Sequence, residues 1–229
     1  MGDWIAFWDS DHSIYVSARH RDVHYRAIAQ DIRTALPAGA RVLDYGCGEA
    51  LHADLVAAPA RQLILCEAAP LIRAALAKRF AGDAKIEVRA PADIAALPAA
   101  SLDAIVMHSV AQYLTPEELD ALLALFRRLL SDNGVFILGD VIAPDVSAST
   151  DAVALLRFAA ANGFFAAALV GLVRTVMSDY WRLRTRLGLT RYSERAITEK
   201  LAHAGFSARR VAVNIGHNPA RMTFLARPV

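Results

Sequence analysis

Short apolar runs alternate with helical segments along most of this chain, and this alternation limits the fold more than any other feature. Five runs have the length and composition of buried strands: residues 41–45, 62–66, 86–90, 103–108 and 135–141. Strands that are apolar on both faces are typical of parallel sheets covered by helices on both sides. The sequence therefore predicts an α/β fold.

The segments between and after these runs complete the predicted architecture. Helices are predicted at residues 19–36, 51–57, 70–80, 116–130 and 193–204. The fourth begins with a capping-box pattern, Thr115 and Glu118, and Asn133-Gly134 predicts a turn before the fifth strand. Two last strands around residues 214–220 predict an antiparallel pair. We expect a doubly wound, Rossmann-like, seven-stranded sheet that is mostly parallel and ends in an antiparallel hairpin.

The predicted domain organisation is a single domain over residues 1–229. Residues 1–36 form an N-terminal lid or helix, and residues 144–192 form a helical insertion that caps the domain.

The first predicted strand ends in an acid followed by two glycines, in the stretch RVLDYGCGEAL. Gly46 and Gly48 allow a sharp turn and the close approach of a ligand to backbone amides at a helix N-terminus. Dinucleotides and S-adenosylmethionine can both use such a turn. Asp44 favours the second, because a carboxylate attracts the ammonium of the methionine end and repels a pyrophosphate. The dinucleotide pattern G-x-G-x-x-G also fails at Leu51.

Acids also follow the second and third predicted strands. Glu67 comes twenty-one residues after Gly46, where an acid at the next strand end accepts hydrogen bonds from both ribose hydroxyls. The alternative is a solvated acid at a strand end. Asp93 is suited to accept from an adenine amino group, with Ile94 against the ring. The alternative for Asp93 is a helix-capping or loop acid.

Four motifs in the same order resemble those of the class I S-adenosylmethionine-dependent methyltransferases. VLDYGCGEA is similar to the family pattern D-x-G-x-G-x-G, with Ala50 in place of the third glycine. ADIAALPAASLDAIVMHSVAQYL and GVFILGDV resemble later motifs, and the resemblance covers roughly residues 40–142 and 193–229. It implies S-adenosyl-L-methionine as cofactor and methyl transfer as activity. The expected cofactor-binding residues are Tyr15, Asp44, Gly46, Cys47, Gly48, Glu67, Ala68, Asp93, Ile94, His108 and Tyr113.

The side chains near the expected cofactor mouth include candidates for the transfer step. A sulfonium already activates its methyl group, so the protein mainly has to align the acceptor and exclude water. His108 is the expected catalytic residue, because a histidine can accept a proton from a hydroxyl or thiol. Tyr15 or Arg19 is expected to reach the methionine carboxylate. The aromatic residues near the N-terminus form either a lid over the cofactor or a staple between the first helix and the core.

A metal site is not predicted. His20 and His24 lie one helical turn apart, which is a ligand spacing, but the sequence offers no third ligand nearby.

Residues 158–173, FAAANGFFAAALVGLV, contain no charge and lie between Arg157 and Arg174. Crossing a bilayer takes roughly twenty apolar residues, and Asn162-Gly163 interrupts this run. One interpretation is a cap over the active site or a homodimer contact. The other is a helix at a membrane interface, supported by the aromatic and basic residues downstream. Those residues are Tyr180, Trp181, Arg182, Arg184, Arg186, Arg191 and Arg195.

Charge is unevenly distributed along the chain. Residues 1–150 carry 13 Lys and Arg against 19 Asp and Glu, whereas residues 151–229 carry 12 against 4. This asymmetry indicates either an anionic partner for the C-terminal part or solvated arginines. No nucleic acid is expected, because the basic residues are not interleaved with the aromatic ladder of a nucleic-acid module.

The start of the chain, MGDWIAFWDSDHS, lacks the pattern of a secretory signal, and two cysteines cannot build a disulfide framework. We therefore expect a cytoplasmic protein, with peripheral contact at the inner membrane surface if residues 158–195 are interfacial. The expected function is methyl transfer to an oxygen, nitrogen or sulfur of a small lipophilic acceptor. The alternatives are a phospholipid or quinone methyltransferase at the membrane surface and a non-catalytic S-adenosylmethionine-binding module.

Overall fold

The computed structural model, described here for residues 2–10, 15–176 and 186–229, contains a seven-stranded sheet. Its strands are β1 (Arg41–Tyr45), β2 (Gln62–Cys66), β3 (Ile86–Arg89), β4 (Leu102–His108), β5 (Leu130–Val141), β6 (Phe206–Arg210) and β7 (Met222–Pro228). The order is β3-β2-β1-β4-β5-β7-β6. Strands β1 to β5 are parallel, and β7 is antiparallel to both β5 and β6. The predicted mixed sheet with a C-terminal antiparallel hairpin is confirmed.

Nine helices accompany the sheet within the described ranges. They are α1 (Gly2–Trp8), α2 (Ala18–Ala35), α3 (Ala53–Ala57), α4 (Pro70–Arg79), α5 (Pro91–Ala95), α6 (Pro116–Leu129), α7 (Ala148–Asn162), α8 (Phe165–Val176) and α9 (Glu194–His203), with a 3₁₀ turn at Ala111–Tyr113. The capping box before α6 is present: the Thr115 hydroxyl accepts from the Glu118 amide, and the Glu118 carboxylate accepts from the Thr115 amide. Ser193 caps α9, because its hydroxyl accepts a hydrogen bond from the Ala196 amide.

The sheet is buried on both faces. Successive residues of a strand point to opposite sides, and Val42 and Leu43 of β1 are both fully buried, in two different hydrophobic clusters. One cluster contains Phe126 of α6 and Phe136 of β5. The other contains Ile32 of α2. The unbroken apolar strands are explained by helices packing on each side of the sheet.

The predicted turn at Asn133-Gly134 lies within the bounds of β5, which begins at Leu130. The register of β5 on β4 shifts there, from Leu130 opposite Leu102 to Val135 opposite Ala104, so the strand is interrupted at the predicted turn. The glycine is explained by crowding. A Cβ atom at Gly134 would lie 2.7 Å from a methyl carbon of Leu130 and 2.9 Å from the carbonyl oxygen of Ser131. The short helix α5 was not predicted.

Helices α7 and α8 pack against the N-terminal part of the chain. Ala159, Phe164 and Ala168 form a small buried cluster against Val16 and Val23. Gly171 allows a close approach there, because a Cβ atom on it would overlap the side chain of Val16. The described part of the chain contains no helix of the length and apolarity that a membrane crossing requires.

The domain boundaries given for the lid and the insertion remain predictions. Of the residues on which the interfacial interpretation was based, Tyr180, Trp181, Arg182 and Arg184 lie outside the described residues.

Candidate functional site

A cavity of about 550 Å³ lies at the carboxyl ends of β1, β2, β4 and β5, where the sheet order reverses. The structure brings most of the predicted site residues together in its lining. Those that line the cavity are Tyr15, Asp44, Gly46, Cys47, Gly48, Glu67, Ala68, His108 and Tyr113.

Two carboxyl groups occupy the part of the cavity between β1 and β2. Burial and, to a smaller extent, the negative charge of Glu67 raise the pKa of Asp44 to about 7. Burial also raises the pKa of Glu67, although hydrogen bonds from backbone amides oppose this shift. Two desolvated carboxyl groups that repel each other make this region favourable for a cationic ligand.

Hydrogen bonds to the Glu67 carboxylate join the glycine turn to the end of β2. Its Oε2 accepts a hydrogen bond from the Gly48 amide at 2.9 Å, and its Oε1 accepts one from the Ala69 amide at 2.8 Å. Arg73 donates to the carbonyl oxygens of Glu67 and Ala68. The carboxylate is therefore held in place at the cavity wall, and each of its oxygens keeps a lone pair for a ligand hydroxyl.

The two glycines have local steric causes that the sequence did not reveal. Gly46 has φ of 75°, and a Cβ atom there would overlap a methyl group of Val110. Gly48 has φ of 57°, and its Cβ atom would lie 2.9 Å from the Tyr25 hydroxyl. Ala50, which stands at the position of the third glycine, also has positive φ, 43°. The turn keeps its glycine-type backbone even where a side chain is present.

Asp93 and Ile94 are not brought into the cavity lining. Asp93 is exposed, and its carboxylate accepts a hydrogen bond from the Ala90 amide at 2.9 Å, at the start of α5. This is the capping arrangement that the sequence left open as an alternative. Ile94 is fully buried in the core beside α6. Their contact with adenine stays a prediction, and the neighbouring Pro91 is the α5 residue that lines the cavity.

Comparison with known proteins gives a family for this arrangement. A family model described as a methyltransferase domain matches residues 42–134, which include β1, the glycine turn and β2 to β4. Residues 42–134 therefore match a methyltransferase domain, and the sheet has the class I S-adenosylmethionine-dependent methyltransferase fold. A search of curated protein sequences found no match.

Several solved structures share the fold of this methyltransferase at low sequence identity. DhpI in complex with SAH is 14% identical, with a TM-score of 0.62 over 98% of this chain and 94% of that one. The N-methyltransferase NodS from Bradyrhizobium japonicum WM9, in complex with S-adenosyl-L-homocysteine, is 16% identical, with a TM-score of 0.60 over 99% and 96%. The magnesium protoporphyrin IX methyltransferase ChlM from Synechocystis PCC 6803 is 16% identical, with a TM-score of 0.56 over 100% and 94%. At these identities the similarity shows the fold.

The residues between β1 and β2 of the methyltransferase fit S-adenosylmethionine, its cofactor. Asp44 is a desolvated carboxyl group for which no hydrogen bond is recorded within the described part of the chain, so a ligand ammonium would supply the missing partner. A phosphate pair in the same place would face both Asp44 and Glu67, and the like charges would repel it.

The methyltransferase cavity has a second region, formed by aromatic and imidazole rings. The rings of His20, His24 and His217 follow one another with centroids 5.9 and 5.5 Å apart. The pKa of each is lowered, first by burial, and that of His20 falls to about 4. Burial also raises the pKa of Tyr15 and Tyr25. This region of the cavity is therefore lined by neutral rings at physiological pH.

Two buried polar atoms in the cavity lining of the methyltransferase have no hydrogen-bond partner in the described structure. They are Nδ1 of His24 and Oε1 of Gln112. Buried polar atoms in native proteins are almost always partnered, so an orphaned atom beside a cavity indicates a group that binds there.

His108 lies in the cavity, but both of its ring nitrogens already have neighbours. Nε2 lies 3.1 Å from the carbonyl oxygen of Ile215, to which it can only donate. Nδ1 lies 3.1 Å from the Ser109 hydroxyl, which itself donates to Asp140 at 2.7 Å. This geometry speaks against His108 as the proton acceptor, because Nε2 carries the ring hydrogen and Nδ1 faces the Ser109 hydroxyl.

Sequence reasoning missed a polar network on this side of the methyltransferase cavity. Ser109 directly follows β4, and Asp140 is the last but one residue of β5. Both have positive φ, 56° and 61°, and a hydrogen bond joins them. Arg221 contacts Asp140 and makes two hydrogen bonds to Asp151 through one nitrogen. Non-glycine residues in this backbone region are costly and cluster at functional sites. The polar run GHNPAR between the last two strands was the sequence feature that could have indicated it.

The aromatic residues near the N-terminus of the methyltransferase line the cavity and also pack against the core. Trp4 is buried with its ring centroid 4.7 Å from that of Tyr113, and both rings line the cavity. Tyr15 also lines it, in ring contact with His20 and His24. Arg19 does not face the cavity; it is exposed and donates to the carbonyl oxygen of Asn162 at the end of α7. Arg19 therefore secures α7, and of the two residues expected at the methionine carboxylate only Tyr15 lies in the cavity.

Glu67→Ala is expected to weaken binding of S-adenosylhomocysteine by about tenfold or more, since a hydrogen bond to a charged group contributes roughly 1.5–3 kcal/mol. The same change frees the amides of Gly48 and Ala69, so the free energy of unfolding should also fall. Isothermal titration calorimetry measures the first effect and urea unfolding the second.

The matched control for this prediction is Glu87→Ala. Glu87 lies on β3, where it pairs with Arg89 outside the cavity. An unchanged dissociation constant in Glu67→Ala, or an equal loss in Glu87→Ala, would contradict the assignment of Glu67 to the ribose.

Proposed function

We propose that this methyltransferase acts on an oxygen, nitrogen or sulfur atom of a small, uncharged, lipophilic acceptor that binds among the neutral rings of the cavity. The observation that carries the proposal is the group of three imidazoles with lowered pKa, His20, His24 and His217. Apolar and aromatic side chains surround them in the same lining: Trp4, Ile5, Trp8, Tyr15, Ile28, Ile32 and Leu155.

Charge in this region argues for an uncharged acceptor. The guanidinium of Arg221 is neutralised by Asp151 and Asp140, so it is not an open anion site. The histidines are neutral, and an added cation would have to be desolvated among them. A neutral molecule that carries one hydroxyl, thiol or amine meets the lowest desolvation cost there.

S-adenosylmethionine supplies an electrophilic methyl group, whose bond to sulfur breaks as the bond to the acceptor atom forms. The protein has to orient the acceptor, exclude water and receive the acceptor's proton. His24 is the residue we assign to the proton, because its buried Nδ1 has no hydrogen-bond partner and its ring contacts Tyr15, Tyr25 and His217. Gln112, whose orphaned Oε1 can only accept, is assigned to hold the N–H or O–H of the acceptor.

His20 is less suited to receive this proton. Its Nδ1 accepts a hydrogen bond from the Val16 amide at 3.3 Å, and its ring is stacked on Phe164 at 4.9 Å. The remaining nitrogen, Nε2, then carries the hydrogen of the neutral ring.

The proposal is tested by methyl transfer from labelled S-adenosylmethionine to a panel of lipophilic phenols, alcohols, thiols and amines. Transfer to at least one class is expected. If none accepts the label while S-adenosylhomocysteine binds, the proposal is refuted.

His24→Asn is expected to lower the rate of transfer by about 100-fold or more, the usual contribution of a positioned acid or base. The dissociation constant of S-adenosylhomocysteine should change by less than about twofold. Since the pKa of His24 lies well below 6.5, the wild-type rate should be flat from pH 6.5 to 8 and fall only at lower pH. His203→Asn, on the exposed side of α9, is the control. Equal rates of methyl transfer in His24→Asn and His203→Asn would show that His24 does not receive the proton.

A second candidate acceptor is a phospholipid or quinone taken up at a membrane surface. The observation that favours it is the row of exposed apolar side chains on α8. Adding total lipid extract to the same assay separates the two candidates, because chromatography of the organic phase resolves a labelled phospholipid or quinone from a labelled small acceptor.

A further inference from the structure

We propose that the outer face of α8 docks on an anionic lipid surface. This face consists of the exposed residues of the helix between positions 165 and 174, which are Phe165, Ala166, Leu169, Val170, Val173 and Arg174. The proposal does not depend on the identity of the methyl acceptor.

The apolar character of this face is continuous. Leu169 and Val170 are about half exposed, at 47% and 53%, and Val173 is 69% exposed. Phe165, Leu169 and Val173 follow one another at intervals of four residues, so they form one row along the helix. Single exposed apolar residues are common, but an apolar row along a whole helix indicates a surface that is covered by a partner.

The opposite face of α8 is already in use. Ala168 is fully buried, and Ala167 packs with it against the cluster that contains Phe164 and Val16. Gly171 lies against Val16 at a distance that leaves no space for a side chain. Rotation of α8 to hide its outer face would expose this cluster instead, so the outer residues cannot be buried within the described part of the chain.

The charges around the outer face select an anionic partner. Between residues 148 and 174 the exposed charged residues are Arg157 and Arg174. The one acid in that range, Asp151, is directed to Arg221 and lines the cavity. An apolar face that includes a basic residue, Arg174, with a second exposed arginine, Arg157, on the preceding helix α7, matches the boundary between lipid headgroups and acyl chains, where each basic residue gains from the anionic headgroups.

A second copy of the chain is a poorer partner for this face. A twofold dimer brings the same patch of both copies together, so each arginine would approach the arginines of the other copy. Neither Arg157 nor Arg174 would find an acid on that patch, since the range from 148 to 174 offers only the paired Asp151. An anionic bilayer satisfies the apolar row and the arginines together.

Flotation with vesicles tests the proposal on the full chain. The probes are vesicles of phosphatidylcholine alone and vesicles of phosphatidylcholine that also contain about 30 mol% of the anionic lipid phosphatidylglycerol. The wild-type protein is expected to partition at least about tenfold more strongly to the anionic vesicles, and this preference should weaken as salt is raised.

The double variant Leu169→Gln with Val173→Gln should lose at least about tenfold in vesicle partitioning. Its control is Val213→Gln with Val229→Gln, which removes two valines that are each 78% exposed outside α8. Retained binding of S-adenosylhomocysteine shows that the variants are folded. Arg157→Gln with Arg174→Gln should reduce binding to the anionic vesicles and leave the small binding to phosphatidylcholine unchanged.

Three results would overturn the proposal. The first is equal binding of wild-type protein to the two kinds of vesicle, and the second is unchanged binding in the Leu169 and Val173 double variant. The third is a dimer in sedimentation velocity that this double variant dissociates while neither protein binds vesicles, because the face would then be an interface between copies.

Discussion

The Asp44→Asn substitution is expected to raise the free energy of unfolding of the ligand-free protein at pH 8 by roughly 2–4 kcal/mol. The wild-type carboxyl group is partly buried at the cavity wall beside Glu67, and its pKa is raised from 3.8 to about 7. The difference between these two pKa values corresponds to about 4 kcal/mol, which is an upper bound because the protein relaxes around the charge. An asparagine carries no charge to desolvate.

The sign of this effect fixes its pH dependence. A group with a raised pKa binds its proton more strongly in the folded than in the unfolded state, so it reduces stability as pH rises from about 4 to about 7. The stability difference between Asp44→Asn and wild type should therefore be small at pH 4 and complete above pH 7. Urea unfolding at several pH values measures it.

The same substitution is expected to weaken S-adenosylhomocysteine binding by at least about tenfold, because the neutral amide no longer attracts the ligand ammonium. Calorimetric titration at pH 8 measures this loss. Asp145→Asn, which removes an exposed acid, is the control for both measurements. A stability difference that is independent of pH, or an unchanged ligand affinity, would contradict the role given to Asp44.

Gly46→Ala is expected to lower the free energy of unfolding by about 3 kcal/mol or more. Left-handed backbone costs a residue with a side chain roughly 1–2 kcal/mol, and crowding in a packed interior adds about 1–3 kcal/mol. Both apply at Gly46, which has φ of 75° and whose Cβ atom would overlap Val110. The turn would have to move, so ligand affinity should fall as well.

A matched glycine separates the two costs. Gly39 has φ of 69°, and a Cβ atom on it would meet nothing within 4 Å. Gly39→Ala should therefore lose only about 1–2 kcal/mol, with no change in ligand affinity. If the two variants are equally destabilised, Val110 is not the reason that position 46 is a glycine.

The strands were predictable because their burial on both faces leaves a local mark. β1 and β2 have the bounds that the apolar runs indicated, and β4 differs by one residue. The Asn-Gly pair lies where the register of β5 on β4 shifts, between Leu130 and Val135. The sequence did not show that the strand already begins at Leu130, because that pairing is decided by β4 and not by local preference.

The cofactor side of the site was also largely accessible from sequence, because its residues are adjacent in the chain. Asp44, Gly46 and Gly48 follow one strand, and Glu67 follows the next, and parallel strands bring their carboxyl ends to the same edge. Asp93 shows the limit of this reasoning, since its carboxylate is directed at the Ala90 amide of its own helix.

The opposite side of the cavity could not be inferred in the same way. His24, His217 and Asp140 come from α2, the loop before β7 and the end of β5, and no spacing in the chain relates them.

The sequence by itself determined the sheet, the glycine turn and the acids beside it, because each depends on short-range pattern and on the fixed direction of parallel strands. Only the tertiary structure decided which histidine has an unpartnered nitrogen and which face of α8 stays exposed. Both depend on contacts between segments that are far apart in the chain. Burial by those segments sets the pKa of a histidine ring, and packing decides which side of a helix meets solvent.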